Sequence, residues 1–363
     1  MTGIKRHTRR RGFCGGVFWR EMARREQEID AREWLRKLPK AELHLHLEGT
    51  VTPETLLLLS KRHDAEPLTA EQAKALYTYE NFLGFLQSFK GVTQRLCTPD
   101  DYELVTYEMM RALGAQGVRH AEVYISFGII YYWKKQEVEP YVEAIERGRV
   151  RGEKDFGVSV LWLIDAVRHF GAEDAARVFR KAAELREKYP SIVGIGIGGD
   201  EARGPADLFR ELYAEAKAAG LRLTAHAGES VGPESIWSAI NIGAERLGHA
   251  LAAQHDAELM EVLAERQIVL ELCPTSNVRT GCCGTLEEHP LREYFDCGLM
   301  VTLNSDDPPM FGSDLLGEYV LAHEQFGFTL EQMRELAANS VEASFLPVER
   351  KLELLAQVEQ YDW

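Results

Sequence analysis

Ala41-Glu42-Leu43-His44-Leu45-His46-Leu47-Glu48-Gly49 is the stretch on which the reading of this chain turns. Leucine recurs at every second position, which predicts a β-strand. Residues two apart on a strand share a face, so His44 and His46 converge on one spot. A buried imidazole needs a partner, because an unsatisfied polar group in a core costs roughly 1–3 kcal/mol. Each ring can have its own hydrogen bond, the commoner case for a bare pair. Alternatively both share a metal ion, since neutral imidazole ligates zinc.

Working outward, the chain alternates. Strands are expected at 118–125, 158–164, 192–197, 221–225, 245–247, 268–272 and 299–304, with helical stretches between them. Between the first two strands, 52–114 reads as mostly helical. Thr52-Pro53-Glu54 is a helix start, Thr69 to Gln72 is a capping box, and Thr98-Pro99 opens another helix. Alternation of this kind implies a parallel sheet. Eight such units fit a closed (β/α)8 TIM barrel with a helical insertion after the first strand better than an open sheet. No linker divides the chain, so 33–363 reads as one domain, preceded by a basic tail, 1–32, expected to be disordered.

Barrel active sites lie at the C-terminal ends of the strands. The unusual polar residues fall there: His44 and His46, Asp165, Gly199 and Asp200, His226 and Glu229, His249, and Ser305-Asp306-Asp307. Several histidine-bearing ends plus an acidic pair exceed what packing requires. Histidines with a carboxylate make a nitrogen and oxygen ligand set for zinc, and the remaining carboxylates and His249 can move protons. These residues point to a metal-assisted hydrolase. Asp165 reads as structural or supporting, and Asp200 and Glu201 as equally suited to salt bridges at the mouth. His63, His120, His255, His289 and His323 read as surface or helix histidines.

Composition narrows the class. The 363 residues are 45% apolar and 27% charged, ordinary for a soluble globular protein. No apolar run reaches the roughly 18–20 residues of a membrane helix. A formal net charge of −15 argues against nucleic acid or an acidic membrane as partner. The arginines at 9–11 are not followed by the apolar segment of about 7–15 residues that export needs, so a cytoplasmic protein is expected, with Met22 a possible alternative start. The six cysteines include no Cys-x-x-Cys pair, which disfavours a thiolate metal site and fits reduced thiols.

Six blocks resemble the adenosine deaminase family of zinc amidohydrolases, in family order. They are 38–49, Gly199-Asp200-Glu201, His226-Ala227-Gly228-Glu229, Glu245-Arg246-Leu247-Gly248-His249, Cys273-Pro274-Thr275-Ser276-Asn277, and Asn304-Ser305-Asp306-Asp307-Pro308. The resemblance implies a (β/α)8 barrel that hydrolyses the 6-amino group of a purine. It implies that His44, His46, His226 and Asp306 hold one zinc ion per chain. Glu229 stands at the position of the proton donor to purine N1. His249 stands where the family orients and helps deprotonate the attacking water. Asp307 matches the carboxyl group that meets N7 and the attacking oxygen, and Gly199 the glycine whose N–H meets N3. Cys273-Pro274 reads as a strand-end turn.

The same resemblance bears on the substrate. Glu48 stands where typical adenosine deaminases have an Asp associated with the ribose 5′-hydroxyl, and its extra methylene would crowd that group. Gly199-Asp200-Glu201 departs from the Ser-Ser-Glu-like segment of adenine deaminases, which favours a nucleoside over a free base. The segments 126–133 and 162–170 resemble 6-aminodeoxyfutalosine deaminases, enzymes of a menaquinone pathway. Phe127, Tyr131, Tyr132, Trp133 and Phe170 would then form a slot for a carboxyphenyl tail, with Arg168 as its cation. The expected substrate is 6-aminodeoxyfutalosine, with adenosine second and adenine third.

Overall fold

The computed structural model describes residues 30–80 and 82–362, without the side chains of residues 82, 83 and 133. The basic tail therefore lies almost wholly outside the described residues, as does the Trp133 side chain. Eight strands follow one another: β1 (Lys40–His46), β2 (Val118–Ser126), β3 (Ser159–Val167), β4 (Ile192–Gly198), β5 (Arg222–Ala227), β6 (Arg246–His249), β7 (Val269–Leu272) and β8 (Val301–Leu303). Each pairs in parallel with the next, in sequence order.

The ring closes between β1 and the residues just beyond β8. Leu45 and Asp306 form a parallel bridge. The N–H of His46 donates to the Asp306 carbonyl at 3.0 Å, and the N–H of Asp306 to the His44 carbonyl at 3.1 Å. The fold is a (β/α)8 barrel. Helix Leu330–Ala343 covers the seam by packing on both β1 and β8, and Ser340 Oγ accepts the N–H of Ala41 at 3.0 Å.

Local sequence explains most of the elements. Between β1 and β2 stand the helices Pro53–His63, Ala70–Ala75, Phe82–Thr93 and Pro99–Ala115, as the insertion required. Thr52 Oγ1 accepts the N–H of Thr55, and Thr69 and Gln72 cap each other reciprocally. Alternate β1 side chains divide cleanly. Leu43 and Leu45 are buried among apolar side chains, while Glu42, His44 and His46 carry the polar contacts.

Three details differ from the sequence reading. β3 runs on to Val167, so Asp165 lies inside a strand rather than at its end. Pro274–Arg279 is a short helix, not a turn, because Pro274 supplies the fixed φ of a first helical position. His120 and His289 are buried, at 0% and 4% exposure, rather than on the surface. No helix among the described residues is long and apolar enough to cross a membrane.

Candidate active site

A cavity of about 400 Å3 opens at the C-terminal ends of the strands. His46, Glu48, Asp165, Gly199, His226, Glu229, His249, Asp306 and Asp307 line it, with Phe85, Phe89, Ile129 and Phe170 on the apolar side. Two glycines make room for this crowding. A Cβ on Gly49 would fall 1.7 Å from Asp307 Oδ1, and one on Gly248 would fall 2.6 Å from the His44 ring. His249 and Asp306 both adopt left-handed backbone (φ 65°), uncommon for side-chain-bearing residues and concentrated at functional sites.

Four ligand-type side chains meet at one point. His46 Nε2 lies 3.3 Å from His226 Nε2 and 3.3 Å from Asp306 Oδ1. His44 Nε2 lies 3.6 Å from the same oxygen. The Nδ1 atoms of His44 and His226 are already engaged. His44 Nδ1–H donates to Glu271 Oε2 at 2.8 Å, and His226 Nδ1–H to the Ile197 carbonyl at 3.1 Å. That leaves the Nε2 lone pairs facing inward, and His44 Nε2, fully buried, has no hydrogen-bond partner. Burial, reinforced by neighbouring imidazoles, pushes His44 and His226 well below the usual histidine range and His46 down to about 3. The rings are therefore neutral, as metal ligands must be. His44, His46 and His226, and likewise His44, His249 and Asp306, each form a group that could hold a metal ion.

Carboxyl groups ring this point. Burial, and then the charge of Asp306, raises Glu229 to about 8, so its carboxyl keeps its proton near neutrality. Asp307 is raised well above the usual range, first by burial and then by Asp306. Glu48 reaches about 7 through burial and accepts the N–H of Ser126 at 3.1 Å. Asp165 rises to about 8 through burial and then Glu48, and its Oδ1 has no partner. A site with a metal-type cluster, a protonated carboxyl and a shielded cavity can activate water and protonate a leaving or receiving nitrogen.

The chain matches the family described as adenosine deaminase over residues 39–361. The chain belongs to that family. It is similar to an aminodeoxyfutalosine deaminase of Streptomyces avermitilis, 38% identical over 92% of this chain and 93% of that protein. It superposes on the adenine deaminase of Arthrobacter aurescens with a TM-score of 0.84 at 32% identity, covering 89% of this chain and 98% of the other. An amidohydrolase of Burkhoderia ambifaria with bound zinc gives 0.82 at 27% identity, covering 91% and 92%. The chain is thus a hydrolytic deaminase.

Arg168 is corrected by the structure. In this deaminase it is 0% exposed and does not line the cavity. Its Nε donates to the Gly204 carbonyl at 2.6 Å and its Nη1 to the His226 carbonyl at 2.8 Å. The turn after β3 aims it behind His226, while the neighbours His169 and Phe170 face the cavity. Tyr131 and Phe127 are likewise buried away from it, and Tyr132 is exposed beside Phe170. The apolar wall comes instead from helix Phe82–Thr93, which also brings Lys90 to the rim.

Several supporting residues went unread in the sequence. Glu271 sits in a four-residue apolar strand, and a lone charge there was the available signal. Its carboxylate joins His44 to Arg246, whose Nε lies 2.6 Å from Glu271 Oε1 and whose Nη1 pairs with Glu122. Ser276 Oγ donates to Asp306 Oδ2 at 2.6 Å. Glu201, read as equally suited to a salt bridge at the mouth, forms no ion pair among the described residues and is given over to backbone N–H groups of the Glu229 loop.

Proposed function

We propose that this deaminase hydrolyses the exocyclic amine of a 6-aminopurine nucleoside at a single zinc ion held by His44, His46, His226 and Asp306. The observation that carries this is the convergence of three neutral imidazoles and one carboxylate: His46, His226 and Asp306 on the cavity wall that also holds Glu229, and His44 directly behind it. Bound there, zinc would acidify water, supplying a nucleophile at neutral pH.

The chain's own residues supply the rest. Glu229, protonated because it is buried, donates to ring nitrogen N1 and so relieves the charge that attack at C6 builds on the ring. Asp307, also held neutral, faces N7 as a hydrogen-bond donor. The backbone N–H of Gly199, in its left-handed turn (φ 93°), meets N3. Glu48 and Asp165, on the β1 and β3 side, face the sugar.

The preferred substrate is 6-aminodeoxyfutalosine. The similarity to the Streptomyces avermitilis protein supports this, as does an apolar wall of Phe85, Phe89 and Phe170 with Lys90 at its rim. Lys90 takes the place first given to Arg168 as cation for a carboxylate tail. A purified, zinc-loaded sample offered 6-aminodeoxyfutalosine, adenosine and adenine tests the reading through ammonia release. Fastest turnover of adenosine or adenine would remove the tailed substrate, and no turnover of any would remove the aminopurine reading itself.

A further inference from the structure

His249 ends a buried chain of hydrogen bonds whose direction is fixed at its far end. The backbone N–H of Leu291 can only donate, and it donates to His289 Nδ1 at 3.2 Å. That nitrogen must carry a lone pair. Burial drives His289 down to about 3, so its ring is neutral and its one proton sits on Nε2. His289 Nε2–H then donates to Asn277 Oδ1 at 3.2 Å. This orients the Asn277 amide, whose Nδ2–H donates to His249 Nδ1 at 3.0 Å. Asn277 is 0% exposed and His249 1%, so water does not compete for these groups.

We infer that His249 is held as its Nε2–H tautomer by the chain Leu291–His289–Asn277, and presents a hydrogen-bond donor, not a lone pair, to the reaction centre. The Nε2 atom lies 3.7 Å from Glu229 Oε2 and borders the metal-type cluster. An oxygen atom brought to that centre therefore meets a proton. The attacking water's proton passes to solvent before attack, which the acidity a bound zinc would confer allows. His249 then stabilises negative charge developing on the attacking oxygen and does not remove its proton, unlike the role the family resemblance implies. Asn277 and His289 are positioning residues that act through His249. The tautomer is independent of the substrate reading; only the identity of the oxygen rests on it.

The test is 15N NMR of histidine-labelled, zinc-loaded protein together with kinetics of Asn277→Asp. The expected spectrum shows a lone-pair nitrogen at His249 Nδ1 and a protonated one at Nε2. A carboxylate at position 277 can only accept, so Asn277→Asp should move the proton to Nδ1. It should lower kcat at least about tenfold while KM stays within about threefold and zinc content is kept. A proton on Nδ1 in the wild type, both nitrogens protonated, or Nε2 bound to zinc would overturn the inference. So would unchanged kcat in an Asn277→Asp variant whose spectrum shows the switched tautomer. A wild type inactive on every 6-aminopurine would strike the substrate reading and leave the spectrum to decide the tautomer.

Discussion

Glu201 holds the backbone that carries Glu229: its Oε2 accepts the N–H of Glu229 at 3.2 Å. The same carboxylate takes the N–H groups of Gly228, Ser230 and Val231 and the hydroxyl of Ser235. Four backbone donors on one buried carboxylate make the loop rigid, and its charge also raises the Glu229 carboxyl. Glu201→Gln puts an NH2 group against N–H donors. Kinetics on the preferred aminopurine should show kcat down by about tenfold or more with KM little changed, and unfolding should be easier by about 1–3 kcal/mol. Unchanged kcat in the folded variant would deny Glu201 this role.

Glu229 sets a pH limit. Its folded value of about 8 lies above the usual 4.5, so the native chain holds a proton that the unfolded chain releases. The associated stability is complete below about 4.5 and is lost as pH rises through about 8. The rate should fall as pH rises through about 8, where the Glu229 proton is lost. Glu229→Gln should retain metal and lose roughly 10²–10⁴-fold in kcat. More than about a tenth of the wild-type rate in that variant would exclude proton donation.

Glu271 fixes the orientation of His44 through the 2.8 Å contact at Nδ1. Partners of this kind typically affect metal affinity by about 10–100-fold. Chelator competition should place Glu271→Gln in that range, and His226→Ala should hold no metal. Wild-type affinity in Glu271→Gln would show that His44 orients itself.

Substrate choice separates Lys90 from Arg168. The kcat/KM for 6-aminodeoxyfutalosine should exceed that for adenosine by at least about 10²-fold. Lys90→Ala should narrow the gap by weakening the tailed substrate. Arg168→Ala should instead lower thermal stability and impair both substrates together, because it removes donors to the Gly204 and His226 carbonyls. Selective loss of the tailed substrate in Arg168→Ala would return the cation role to it.

The barrel was legible because its strands and helices carry different periods, and because His44, His226 and Asp306 break apolar runs at strand ends. Arg168 was misplaced because sequence gives a residue's neighbours along the chain, not the direction its side chain takes in a three-residue turn. Glu271, Arg246 and Glu122 were passed over for a related reason. Each is a charged residue on a strand, and its partner lies on another strand whose register sequence does not state. His289 shows the same limit, since its role depends on Asn277 twelve positions away folding back against it.

The seam of the barrel also sets an order in time. Ser305 N–H reaches Glu42 Oε1 at 2.9 Å across 263 positions of chain, and His44, His46 and Asp306 stand within a few residues of that contact. Contacts between such distant segments form late, after the loop entropy between them has been overcome. The first-strand histidines are made early in synthesis yet lack the Asp306 carboxylate until the last strand has been made. With the proposed ligand set, four-ligand metal capture would report that the ring has closed, and a nascent chain lacking its final strand would carry three of the four ligands.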